Sequence, residues 1–96
     1  EVVSTIMLGH VVSVGSWWHA DMMRLPEDKV IRPTGGRVGG HQYAARGYDE
    51  SKDRVLCRNW WGPGFRDFWL ARTDLDSLLR DQGDAHVQSI ATENGA

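Results

Sequence analysis

The chain has 96 residues, 41% of them apolar and 25% charged, and a formal net charge of -2. That length supports one small domain, spanning 1–96, and not two. The interleaved charges form no basic stripe for nucleic acid, no apolar run approaches a membrane span, and one cysteine excludes an internal disulfide.

Residues 2–8 read as the tail of a helix that Gly9 ends, because glycine tolerates the left-handed conformation after a last turn. Val11-Val12-Ser13-Val14 is β-branched and short, which favours a strand continuing toward Trp18. Residues 21–28 lack a period and contain Pro26, so a loop or one irregular helical turn is expected. Val30-Ile31-Arg32 reads as a short strand stopped by Pro33. Residues 34–40 are rich in glycine and read as a turned loop. Their spacing fits no phosphate-binding loop.

Residues 41–48 read as a strand with His41, Tyr43, Ala45 and Gly47 on one face. After a polar turn at 49–53, residues 54–59 alternate cleanly, with Val55, Cys57 and Asn59 on one side. The two strands make an antiparallel hairpin. Gly62-Pro63-Gly64 redirects the chain, and residues 67–71 form a further strand. Thr73 reads as an N-cap, followed by Asp74 and Asp76 where a helix dipole favours acids. Leu75, Leu78 and Leu79 share a helical face, Gly83 follows as a stop, and residues 86–90 read as a last short strand. The fold expected is mainly β, of the α+β class: an antiparallel sheet or half-barrel with one C-terminal helix.

Five tryptophans are many for this length. Trp69 and one member each of Trp17-Trp18 and Trp60-Trp61 are expected in the core, since neighbours on a strand face opposite ways. The four histidines, His10, His19, His41 and His86, match no zinc spacing, so neither a metal nor another cofactor is expected. Cys57 lies two positions before Asn59 on the same strand face and reads as a small buried hydrophobe rather than a nucleophile.

Gly40-His41, Gly47-Tyr48, Asn59-Trp60-Trp61-Gly62 and Gly64-Phe65 follow one another in a characteristic order. The stretch 39–70 thereby resembles the C-terminal, β-rich half of papain-like (C1) cysteine peptidases. Upstream, Gly9-His10-Val11-Val12-Ser13-Val14 is similar to that family's entry strand, and 74–85 is similar to the closing segment of some phage-encoded members. The resemblance implies a thiol protease, a hydrolase cutting peptide bonds through a thiolate–imidazolium pair. It makes His41 the catalytic base and acid, Asn59 its orienter and Trp61 the supporting shield over their contact. Trp60 stands where the family has Ser, Phe65 where it has Trp, and Arg66 where it has Gly.

The nucleophile is absent from this chain, because no helix here bears a Cys and no Gln matches the oxyanion hole. A Cys-bearing N-terminal lobe or precursor segment is therefore the implied partner, with a peptide or protein as substrate. The start at Glu1 leads us to expect a processed product or an excised piece. A non-catalytic papain-like module with a structural or binding role, for instance in a virion, is the alternative, and a tryptophan-built carbohydrate-binding domain is a third option. An isolated lobe exposing apolar surface around Trp61 and Val14 would self-associate as a homo-oligomer or hold a tight partner. Cytoplasmic and virion-associated settings both remain open, and no membrane or nucleic-acid partner is expected.

Overall fold

The computed structural model describes residues 2–59 and 67–87. The expectations for Trp60, Trp61, Gly62-Pro63-Gly64, Phe65, Arg66 and the tail after Val87 lie outside them. In chain order come α1 (Val2–Met7), β1 (Val12–His19), a 3-10 turn (Ala20–Met22), β2 (Arg37–Asp49), β3 (Arg54–Arg58), β4 (Asp67–Ala71), α2 (Arg72–Arg80) and β5 (Asp84–Val87). The strands build one open antiparallel sheet in the order β4-β3-β2-β1-β5. The mainly β, α+β architecture with a short N-terminal helix and one C-terminal helix is thus as the sequence leads one to expect.

Local chemistry explains the boundaries. α1 ends where the Gly9 N–H donates to the Ile6 carbonyl at 2.8 Å and Gly9 takes φ +97°, a conformation costly for a residue with a Cβ. In β1 every second residue is buried: Val12, Val14, Ser16 and Trp18 point inward, while Ser13, Gly15, Trp17 and His19 lie on the opposite face. The same alternation buries Val55 and Cys57 in β3 and Phe68 and Leu70 in β4. One apolar cluster gathers these side chains with Ile6, Met22, Ile31, Leu75 and Leu78.

Several boundaries differ from expectation. β2 starts at Arg37, so Gly39 and Gly40 are strand residues paired with Trp18 and Trp17. Backbone pairing to β1 overrides the turn preference of glycine. The helix begins at Arg72 with Ala71 as N-cap, placing Thr73 inside the first turn. β5 starts at Asp84, two residues early, because its pairing with β1 sets its bounds. Val30 forms only an isolated parallel bridge to Trp69.

A register shift between Ala45 and Gly47 leaves Arg46 unpaired. Such a bulge reverses the alternation, so Gly47 opposes Leu56 off the core face and Tyr48 opposes Val55 on it. Two burial expectations are corrected as well. Val14 is 0% exposed and offers no surface to a partner; the exposed large apolar residues are Met7, Leu8, Met23, Val38 and Val87. Trp69 is only half-buried, with the Arg54 guanidinium 4.1 Å from its ring centroid.

Candidate active site: a histidine–asparagine pair on adjacent strands

His41 sits on β2, opposite Ser16 of β1, and Asn59 follows the last residue of β3. The hairpin register pairs Ala44 with Arg58, so continuing one step along β3 carries Asn59 back toward the His41 end of β2. Both side chains project to the core side of the sheet, and His41 Nε2 lies 2.5 Å from Asn59 Oδ1 across 18 residues of sequence. A carboxamide oxygen only accepts, so Nε2 carries the proton and donates it. In the neutral ring the lone pair then resides on Nδ1, the nitrogen that can act as a base.

The pair is set among aromatic rings. The Trp18 ring centroid is 4.5 Å from that of His41 at a tilt of 58°, and Tyr43 stacks on His41 at 5.9 Å. Trp18 and Tyr43 in turn make edge contacts with Phe68. Tyr43 and Ser16 share a buried hydroxyl–hydroxyl bond of 2.8 Å. Burial raises the Tyr43 phenol far above its ordinary pKa, so it stays neutral. Burial also lowers the His41 pKa below its ordinary 6.5, against a smaller opposing contribution from the Asn59 bond. The ring is therefore uncharged near neutrality and able to accept a proton. Asn59 is 2% exposed, and its Nδ2 has no hydrogen-bond partner among the described residues.

The chain's single thiol is remote from this chemistry. Cys57 is 0% exposed in the core, and burial, with a further contribution from Asp67, pushes its thiol strongly up. A thiol so held has negligible thiolate at neutral pH and no path to a substrate. Among the described residues no group of His, Cys, Asp and Glu is arranged to hold a metal ion.

The His41–Asn59 contact is the one the motif resemblance implies, and the bulge at Arg46 sets the register that allows it. The part played by Trp18 is not foreseeable from the β2–β3 hairpin, because it depends on how β1 registers on β2. Among the described residues the indole in contact with the His41 ring is that of Trp18; Trp61 lies outside them. A cavity of about 410 Å³ opens at His41, lined by Gly15, Ser16, Trp17, Gly40, His41, Gln42, Gln82 and Asp84. Of these, His41 is the site residue expected from the sequence. Comparison of the chain with protein-family models, with curated proteins and with solved structures found no match.

Proposed function

We propose that this chain is the imidazole-bearing lobe of a papain-like cysteine peptidase, completed by a segment that carries the thiol. The observation that supports this most is the Nε2-to-Oδ1 bond between His41 and Asn59, made from adjacent antiparallel strands. It fixes the ring plane and the tautomer together, leaving Nδ1 as the base. The open antiparallel sheet and the order of its elements agree with this reading.

The chemistry runs as follows. Nδ1 of His41 takes the proton of a thiol on the partner segment, and the thiolate adds to the carbonyl carbon of a peptide bond. The imidazolium then returns that proton to the leaving nitrogen as the C–N bond breaks, giving a thioester and a free amine. Water, deprotonated by the same nitrogen, adds to the thioester and releases the acid and the thiol. Asn59 holds the ring through each proton transfer. Trp18 covers the ring from the β1 side, and Trp61 is the proposed shield over the His41–Asn59 contact. Excluding water there strengthens the bond.

The test is covalent labelling of the whole gene product, or of this chain mixed with its thiol-bearing segment, by a peptidyl epoxide. His41→Ala lowers the labelling rate by about a hundredfold or more, the scale of a lost general base, and Asn59→Ala lowers it by a smaller factor. Labelling that proceeds at the same rate in His41→Ala overturns the reading.

A second reading rests on one observation, the sealing of the only cysteine inside the core. By itself the chain can hold a peptide but not cut it, as a non-catalytic papain-like module of assembly or binding would. Peptide binding by the whole gene product, with no labelling under any condition, selects this second reading.

A further inference from the structure

The cavity beside His41 has a floor made by three strands in register. Gly15 of β1 lies opposite Gln42 of β2 on one side and opposite Asp84 of β5 on the other. Having no side chain, Gly15 lets its neighbours lean over it. A Cβ built there would stand 2.7 Å from Asp84 Oδ1 and 3.7 Å from Gln42 Cγ. At Gly40 a Cβ would meet nothing within 4 Å, so the wall beside His41 is open as well. The volume over Gly15 is thus taken by the Asp84 carboxylate and the Gln42 side chain, and the open space beside them lies at Gly40.

The remaining charges around the cavity are already matched. Trp17 forms a wall, its indole N–H donating to Gln82 Oε1 at 3.0 Å. The Arg37 guanidinium lies 4.8 Å from the Trp17 ring centroid and bonds both Asp81 oxygens, at 2.6 and 2.7 Å. It is thereby matched to Asp81 and not to Asp84. Asp84 makes an ion-pair contact with His86, 3.7 Å away and largely exposed, which counts only when that imidazole is protonated. Among the described residues that line the cavity, Asp84 supplies the only carboxylate, and there is no Lys or Arg.

We propose that this cavity receives a lysine or arginine side chain of the peptide substrate, close to the bond presented to His41, and that Asp84 selects it. The aliphatic stem lies over Gly40 against the Trp17 indole, as long cationic side chains do on apolar surface. The charged head reaches Asp84, and the Gln42 carboxamide accepts a further hydrogen bond from it. Gly15 is a specificity residue by its absence of bulk. This inference rests on the peptidase reading for the identity of the ligand as a substrate, but the charge preference of the cavity stands on the geometry alone.

The test uses the full chain and two small probes of equal shape, acetyl-arginine amide and the neutral acetyl-citrulline amide, followed by NMR at the Trp17 indole N–H. The arginine probe binds about fivefold more tightly, the discrimination that a partly solvated ion pair supplies. The preference shrinks with added salt. Asp84→Asn, conservative and on an exposed strand, brings the ratio to about one, while Gly15→Val displaces the Asp84 carboxylate and lowers the preference as well. Equal affinities in the wild type, a preference that survives Asp84→Asn, or no binding of either probe overturns the inference.

A second arm separates its failure from that of the peptidase reading. An arginine preference in the chain, with no epoxide labelling of the whole gene product, retains the cavity and removes the enzyme. Labelling that is His41-dependent but equally fast with arginine and citrulline probes retains the enzyme and removes Asp84 as its selector.

Discussion

The ionisation of His41 is governed by two opposed influences, and their order has a measurable consequence. Desolvation among Trp18 and Tyr43 disfavours the imidazolium, and the Asn59 carboxamide partly restores it. Because the folded pKa lies below the unfolded 6.5, the unfolded chain binds more protons in the window beneath that value. The contribution of His41 to stability is therefore complete above about pH 6.5 and is lost as pH falls through the folded pKa. NMR titration of the ring gives a midpoint below 6.5, and Asn59→Ala, which removes the opposing influence, moves it further down. In His41→Gln, chemical denaturation at several pH values loses this part of the acid sensitivity. A ring titrating at or above 6.5 contradicts the packing described. Docking of a thiolate beside Nδ1 reverses the sign, since an adjacent anion stabilises the imidazolium. Of this site, His41 and Asn59 were legible only through the resemblance their motifs carry, since the bulge at Arg46 that brings the two onto one face is not written in the alternation. Trp18 and Asp84 were not, since each reaches the site through a strand pairing that no local pattern encodes.

At the scale of elements, the junction between α2 and β5 carries the tightest backbone contact. A Cβ on Gly83 would stand 2.6 Å from the Leu78 carbonyl oxygen, 2.9 Å from Leu79 Cα and 3.0 Å from the Gly15 carbonyl oxygen. The first two of these atoms belong to α2 and the third to β1, so none is a flexible side-chain tip that can swing aside. Gly83→Ala accordingly costs about 1–3 kcal/mol, read by chemical denaturation. Gly36→Ala, where a Cβ meets nothing within 4 Å, stays within about 0.5 kcal/mol. Equal effects of the two substitutions rule out the close approach at Gly83. A second junction ties the β2–β3 turn to α2. Asp53, at φ +51°, accepts from Tyr48 Oη at 2.6 Å and from Arg72 Nε at 2.8 Å, while its carbonyl receives the Arg72 N–H at 2.9 Å. Arg72, and then Tyr48, holds the Asp53 carboxyl below its ordinary range. The hairpin was readable because residues 54–59 alternate without interruption. The bulge at Arg46 and the early start of β2 were not, because inter-strand pairing overrides the local preferences of glycine and the simple two-residue period. Gly83 was foreseen as a helix stop, whereas its role as the point where helix, β1 and β5 meet depends on tertiary placement.

For the molecule as a whole, the sheet order puts the two parts of the candidate site at very different depths. β2, which carries His41, is held between β1 and β3. The β4 edge is closed off by the segment at 29–31, whose backbone exchanges hydrogen bonds of 2.7 and 2.9 Å with Trp69. β5, which carries Asp84, is the opposite edge: four residues, all exposed, paired only to β1 among the described residues. Edge elements with little buried apolar surface open at a fraction of the global free energy. Amide hydrogen exchange is therefore expected to be at least about a hundredfold slower at 43–45 than at 84–87. The same ordering predicts that low denaturant abolishes the charge preference of the cavity while the His41–Asn59 contact persists, followed by the ring resonances of His41. Uniform protection across both strands contradicts this, and means instead that the sheet opens as one unit. A thiol-bearing segment or substrate that spans both parts would have to order β5 on binding. Slowed exchange at 84–87, with little change at 43–45, is then the signature that the cavity and the His41–Asn59 pair are used together.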